Sequence, residues 1–322
     1  MLDNTFYIDT LKYFTLLHKI FNEKVAWFRF TKYFCTSNSK KNIDIMAKVI
    51  SFLNFKGGVG KSTSTVNVAK ALHDKGLKVL VIDADSQGNA SRMMGKKLSE
   101  GNDETLYEVM TRGMDIRKCI CVDQDKEESF DYVPANHSLV YAEMELVSRI
   151  GRESILRKAL QPVQEHYDLI LIDCTPTDGL VSQNAITASD YIIIPLNGEP
   201  FAVDGMGKII QRYKEVKENV NANLQILGYV FTLMRKCSLH DSIKEELHTQ
   251  HEKRNWPGEI FKTEIKQNIC LAESAALRTN IFDYAEQFDG KKIQDRNKRE
   301  SAIKAGNQYR ELTEEIISKL NG

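Results

Sequence analysis

Charge of either sign is not in excess in this 322-residue chain: 44 Lys and Arg stand against 44 Asp and Glu, a formal net charge of zero. That balance excludes a globally basic nucleic-acid binder, though not a local basic patch. Zinc spacing is missing too. The six cysteines lie at 35, 119, 121, 174, 237 and 270, and the one close pair, Cys119 and Cys121, has no second pair or nearby histidine to complete a site. The cysteines read as free thiols of a reducing cytosol. No apolar run is long enough to span a bilayer. The N-terminus is charged throughout and lacks a small-residue cleavage site, so it is not expected to be a secretory signal. No internal repeat is visible. The chain is 42% hydrophobic and 27% charged, the balance of an ordinary globular protein, and its length suits one large α/β domain or two small ones.

Residues 1–45 contain no Gly or Pro and are rich in Tyr, Phe and Lys. Leu11, Phe14, Leu17, Ile20 and Phe21 would share one face of a helix over 10–34. The segment reads either as a translated leader or loose arm, with Met46 as a candidate start, or as a dimerisation or membrane-touching helix. From Met46 the chain alternates. Apolar strands are expected at 47–53, 77–85, 130–135, 167–174, 190–197 and 224–233. Helices are expected near 61–75, 104–112, 138–164 (interrupted near Gly151), 203–219, 239–250 and 300–320. Residues 291–301 read as a solvated loop or helix start. Apolar strands alternating with helices predict a single α/β domain over 46–322. Its sheet should be mostly parallel, twisted and covered by helices on both faces.

The strongest motif is Lys56-Gly57-Gly58-Val59-Gly60-Lys61-Ser62-Thr63, set between a strand and a helix. Its glycines let the backbone wrap phosphate oxygens, and the helix aims its first N–H groups at them. Lys61 should reach the β- and γ-phosphates, and Ser62 should offer its hydroxyl to Mg²⁺. The first glycine of the usual G-x-x-x-x-G-K-S/T pattern is Phe55 here, and Lys56 is an extra lysine. This resembles the deviant phosphate loop, xKGGxGK[ST], of the ParA/MinD family of P-loop ATPases. The resemblance implies that ATP is the ligand and that Lys56 crosses a dimer interface to the partner's phosphates, making ATP a dimerising ligand.

Two acidic strand ends follow. DADSQGNAS over 83–91 resembles the DxDPQGNAT segment of ParA proteins, with Ser86 in place of proline. The resemblance makes Asp85 the residue that positions the attacking water, with a helix N-cap as the alternative. Asp83 becomes a Mg²⁺-side or structural partner. LILIDCTPTDG over 169–179 ends an apolar strand in Asp173, the pattern in which a carboxylate holds Mg²⁺ through its water shell. It resembles the family's IIIDCPPSLG, with Thr175 for the first proline and Asp178 for the leucine. Further segments at 195–210, 228–247 and 261–284 carry the resemblance almost to the C-terminus. No helix-turn-helix precedes the nucleotide domain, as in the short branch that does not bind operators.

The short branch, of the ParA/Soj type, is implied to bind DNA without sequence preference, to sit in the cytoplasm on the nucleoid, and to be released by a ParB-like or other centromere-binding partner that stimulates hydrolysis. Arg235 and Lys236 fall on the family's basic loop. In the second stretch Gln267 and Cys270 stand where arginines are common, while Lys262, Lys266 and Arg278 lie nearby as substitutes. A solvated face with no DNA role is the alternative for each. A MinD-like ATPase cycling on membrane is the rival function; the acid-rich tail argues against it, and only Lys12, Lys19, Lys24, Arg29 and Lys32 among the N-terminal aromatics favour it. A metal-cluster carrier would need cysteines at cluster spacing. A tyrosine kinase of the superfamily would need a C-terminal tyrosine cluster, where only Tyr309 lies.

Overall fold

The computed structural model describes residues 46–95, 104–121, 130–199, 205–288 and 292–321, and Met46–Gly322 forms one compact unit. The expectations for 1–45 lie outside the described residues. Seven strands build one sheet: β1 Lys48–Phe52, β2 Val79–Ala84, β3 Asp131–Val133, β4 Leu169–Cys174, β5 Tyr191–Asn197, β6 Gln225–Thr232 and β7 Glu259–Ile260. Their order is β3-β2-β4-β1-β5-β6-β7, and every pairing is parallel.

Parallel neighbours require crossovers, and helices supply them. Among the described residues these are α1 Lys61–Asp74, α2 Asn89–Met93, α3 Leu106–Arg112, α4 Leu139–Glu145, α5 Ile155–Leu160, α6 Leu180–Ala188, α7 Met206–Asn219, α8 Ser238–Arg254, α9 Ile269–Ala276, α10 Ile281–Glu286 and α11 Ile293–Asn321. The six expected strands are present with slightly shorter bounds. The two-residue β7 and the helices α2, α6, α9 and α10 were not anticipated, and residues 293–301 open the long α11, one of the two expectations for 291–301.

Side chains of period two divide each strand between two cores. Along β4, Ile170, Ile172 and Cys174 face one core, while Leu169 and Leu171 face the other. Along β2, Leu80, Ile82 and Ala84 alternate with Val79 and Val81 in the same way. The first core takes the apolar sides of α3, α4, α5, α6, α7 and α8; the second takes those of α1, α2, α9, α10 and α11. Burial on both faces is why these strands read as unbroken apolar runs. With both faces covered, the phosphate loop and the acids Asp83, Asp85 and Asp173 lie at the carboxyl ends of the central strands.

Candidate functional site

The phosphate loop leaves β1 and enters α1, and both its ends are tied to the sheet. Asn54 Nδ2 donates to the Pro195 carbonyl (2.8 Å), and Asn54 Oδ1 accepts from the Lys56 amide (2.9 Å). The Thr232 hydroxyl lies 2.8 Å from the Val59 carbonyl and 3.1 Å from that of Leu196, joining the loop to β5 and β6. Between these ties Gly58 and Gly60 have φ of 73° and 79°. That left-handed backbone costs an L-residue about 1–2 kcal/mol, so the glycines here are a conformational requirement. Gly60 immediately precedes α1, whose first N–H groups have no carbonyl partner within the helix.

Lys61 is buried, and its ammonium donates to the Lys56 carbonyl at 3.0 Å. Burial pulls its pKa down, while Asp173, Cys174 and Asp85 pull it up. Lys56 lies differently. Its ammonium sits 2.8 Å from Glu199 and 3.4 Å from Asn197 Oδ1, on an exposed edge. That contact, with Asn197 and the Lys56 charge, holds the Glu199 carboxyl below its usual range. An exposed ion pair of this kind contributes only about 0–1 kcal/mol, so Lys56 is easily released.

The three acids have distinct surroundings. Asp83 and Asp173 face each other in the β2–β4 register, and both are fully buried. Asp83 is committed to its own loop: Oδ2 accepts from the Ser91 amide (2.7 Å) and hydroxyl (2.6 Å), and Oδ1 from the Asp85 amide (3.1 Å). Burial raises its pKa to about 6, against those hydrogen bonds. Neither oxygen of Asp173 has a hydrogen-bond partner. Its carboxyl is held well above the usual range by burial and then by Asp83, with Ser62 and Lys61 near enough to oppose them. A buried carboxylate without donors is a group that a cation would satisfy. One carboxylate, one serine hydroxyl and phosphate oxygens form the hard oxygen set that suits Mg²⁺. Among the described residues no three His, Cys, Asp or Glu gather to hold a metal by themselves, so phosphate and water would supply the remaining ligands. Asp85 is not a helix cap: α2 is capped by Gly88. Asp85 Oδ1 instead accepts from the Gln87 amide (3.0 Å), a turn of the Asx kind that holds the carboxylate at the cleft.

That cleft measures 1310 Å³ and is lined by Gly57, Gly58, Gly60, Lys61, Ser62, Thr63, Asp85 and Pro176. Arg235, Lys236, Lys266 and Arg278, all exposed, line the same cleft. Of the five basic residues expected from sequence, the structure gathers these four on its rim. Lys262 is not among the residues lining the cleft; its backbone amide donates to Glu315 of α11 (2.9 Å). Two exposed cations that sequence reading missed, Arg92 of α2 and Lys304 of α11, line the same cleft. No local motif signals them, because they converge only on folding. Gln267 holds the Arg235 side chain by accepting from its Nε. Cys270 is buried, with its thiol toward the Lys298 carbonyl (3.7 Å), so it takes no part in the rim.

Arg278 has a φ of 58° just beyond the end of α9, a left-handed conformation that glycine adopts without strain. Arg278→Gly is expected to raise stability by about 0.5–1 kcal/mol, the relieved strain less the entropy glycine adds to the unfolded chain. Chemical denaturation checks this; a destabilised variant would show that the arginine's contacts outweigh its strain.

Similarity to known proteins agrees with this geometry. A family model described as an AAA domain matches residues 47–226. The sporulation initiation inhibitor protein Soj of Bacillus subtilis is 33% identical over 77% of this chain and 95% of its own length. A crystal structure of cobyrinic acid a,c-diamide synthase from Mycobacterium smegmatis, with bound ADP and magnesium, superposes with a TM-score of 0.64 at 27% identity, covering 72% of this chain and 91% of that one. A plasmid partition protein from Borrelia burgdorferi bound to AMPPNP superposes with a TM-score of 0.60 at 26% identity, covering 80% and 98%. With the phosphate loop seated between β1 and α1 and acids on the neighbouring strand ends, the chain belongs to the P-loop ATPases of the Soj/ParA partition family.

Proposed function

We propose that this ATPase is the nucleotide-switched motor of a DNA-partition system. ATP binds with its phosphates in the loop 56–63, Lys61 and the α1 N-terminus neutralising them. Ser62 and Asp173 would hold Mg²⁺, which supplies charge neutralisation across the phosphates. Asp83 acts as the anchor of the Asp85 loop rather than as a direct ligand, since both its oxygens are used. Asp85 orients the attacking water. Lys56 leaves Glu199 and reaches the phosphates of a second copy, so that ATP makes the homodimer.

The single observation that carries the DNA reading is the continuity of the cleft. One wall binds phosphate, and the same cavity continues to Arg235, Lys236, Lys266 and Arg278, with Arg92 and Lys304 added. A nucleotide-driven closure of that cleft would therefore alter how the rim presents charge to DNA on the nucleoid. Phosphate contacts of this kind are indifferent to sequence and weaken with salt. A centromere-binding protein of the ParB kind then stimulates hydrolysis and releases the dimer. The membrane-cycling alternative rests on Lys12, Lys19, Lys24, Arg29 and Lys32, which lie outside the described residues; among the described residues no helix is long and apolar enough to cross a membrane.

Binding to random-sequence duplex DNA with ATP, with ADP and without nucleotide, across a salt series, tests this reading. Binding is expected with ATP only. Arg235→Ala and Lys236→Ala should each reduce the slope of log K against log salt by about 1. Absence of binding in every nucleotide state would overturn the DNA assignment.

A further inference from the structure

The loop between Asp173 and α6 is built here with Thr175 and Asp178, and the fold supplies partners for it from two other helices. The chain leaves β4, passes Pro176 at the cleft wall and enters α6 at Leu180. Glu143 of α4 reaches over to this entry. Its Oε2 accepts from the Leu180 amide at 2.6 Å and its Oε1 from the Val181 amide at 3.1 Å. A Cβ on Gly179 would lie 2.4 Å from Glu143 Oε1, so only glycine admits the carboxylate this closely. Arg212 of α7 holds the loop from the other side. Its Nε donates to Asp178 Oδ1 (2.9 Å) and its Nη2 to Oδ2 (3.1 Å), while Nη1 is braced on Glu215 (2.8 Å).

Each contact fixes orientation as well as position. A carboxylate on two N–H groups of a helix start satisfies donors that the helix itself cannot. A guanidinium bound to a carboxylate by two parallel hydrogen bonds sets an angle that a single contact does not. Neither Glu143 nor Arg212 lines the nucleotide cleft. They touch the loop that does.

We propose that Glu143 and Arg212 are positioning residues for ATP hydrolysis: together they clamp the loop after Asp173 so that Pro176 and the end of β4 keep a fixed place against the phosphates. This rests on the ATPase reading. The clamp acts after binding, because the phosphate loop and Lys61 hold the nucleotide without it. Its loss is expected in turnover, where a misplacement of about 1 Å costs up to about 100-fold.

The test is steady-state ATP hydrolysis by the full chain with Mg²⁺, alongside direct titration with a fluorescent ATP analogue. Glu143→Ala and Arg212→Gln are expected to lower kcat by about tenfold or more, with KM and analogue affinity within about twofold. Glu143→Gln should fall between wild type and Glu143→Ala, since its amide oxygen still accepts one N–H. Asp178→Asn combined with Arg212→Gln should cost no more than Arg212→Gln alone, as expected of two halves of one contact. Unchanged kcat in both Glu143→Ala and Arg212→Gln would overturn the proposal, as would lost affinity at constant kcat. If Glu143→Ala does not fold, Glu143→Gln and Arg212→Gln decide by the same criteria. A wild type that binds ATP without hydrolysing it would overturn the ATPase reading and the clamp with it; a hydrolysing wild type with unaltered variants overturns the clamp alone.

Discussion

Lys61→Ala is expected to abolish ATP binding. The lysine opens α1, is buried at the floor of the phosphate loop, and has its ammonium 3.0 Å from the Lys56 carbonyl. It is the buried cation of the loop, since Lys56 is engaged with Glu199 at an exposed edge. Without that charge, a phosphate tail facing Asp85 and Asp173 within one chain keeps only Mg²⁺ and the α1 N-terminus to offset the carboxylates. Charge-assisted hydrogen bonds contribute about 1.5–3 kcal/mol each. Losing two of them, one to each terminal phosphate, weakens binding by about 100- to 10,000-fold. Titration with a fluorescent ATP analogue reads this directly, with circular dichroism as the check that the variant is folded. Retained tight binding would overturn the phosphate-site assignment.

Asp85→Ala separates binding from chemistry. The variant should bind ATP within about threefold of wild type and still form the proposed ATP dimer, because Asp85 does not hold the phosphate loop. Its turnover should fall by at least about 100-fold, the low end of what a positioned carboxylate contributes to water attack. Alanine also removes the acceptor for the Gln87 amide, so Asp85→Asn is the sharper variant. Asparagine keeps an oxygen at the Asx turn and loses the charge. If Asp85→Asn is as inactive as Asp85→Ala, the loss belongs to the carboxylate rather than to the turn. Normal turnover in either variant, measured by phosphate release, would move the role to another acid.

The contrast between these acids was only half legible in the sequence. That three carboxylates end two strands could be read from the apolar runs before them, because strands buried on both faces leave an unbroken signature. Which acid does what could be taken only from the family resemblance, because it depends on partners eight residues away or across the sheet. Asp83 is taken up by Ser91 and Asp173 is left bare, although both end equally apolar strands. The phosphate loop was legible for the opposite reason: its parts are contiguous, so geometry and sequence coincide. The basic rim was legible in part. Arg235 and Lys236 sit on a loop that could be placed, whereas Arg92 and Lys304 reach the cleft from helices over 200 residues apart in the chain. Asp178 in the leucine position was the one sequence signal for the clamp, since a carboxylate there asks for a cation. Nothing in the sequence named Arg212 as that cation. The missed helices have their own cause: α6 is short and almost wholly buried, so it shows no polar face to mark its period.

The sheet divides the molecule's responsibilities as well as its cores. The helices that grip the loop after Asp173, α4 and α7, pack on one face together with α8, into which Arg235 and Lys236 lead, whereas α2, α9 and α11, which carry Arg92, Arg278 and Lys304 on or beside them, pack on the other. A stimulating protein that pressed on α4 and α7 would not have to compete for surface with a polymer held by Arg92, Arg278 and Lys304; the two would come closest at Arg235 and Lys236. Both could occupy the molecule at once, with the nucleotide at the strand ends between them, so that release of the polymer could be triggered from the opposite layer.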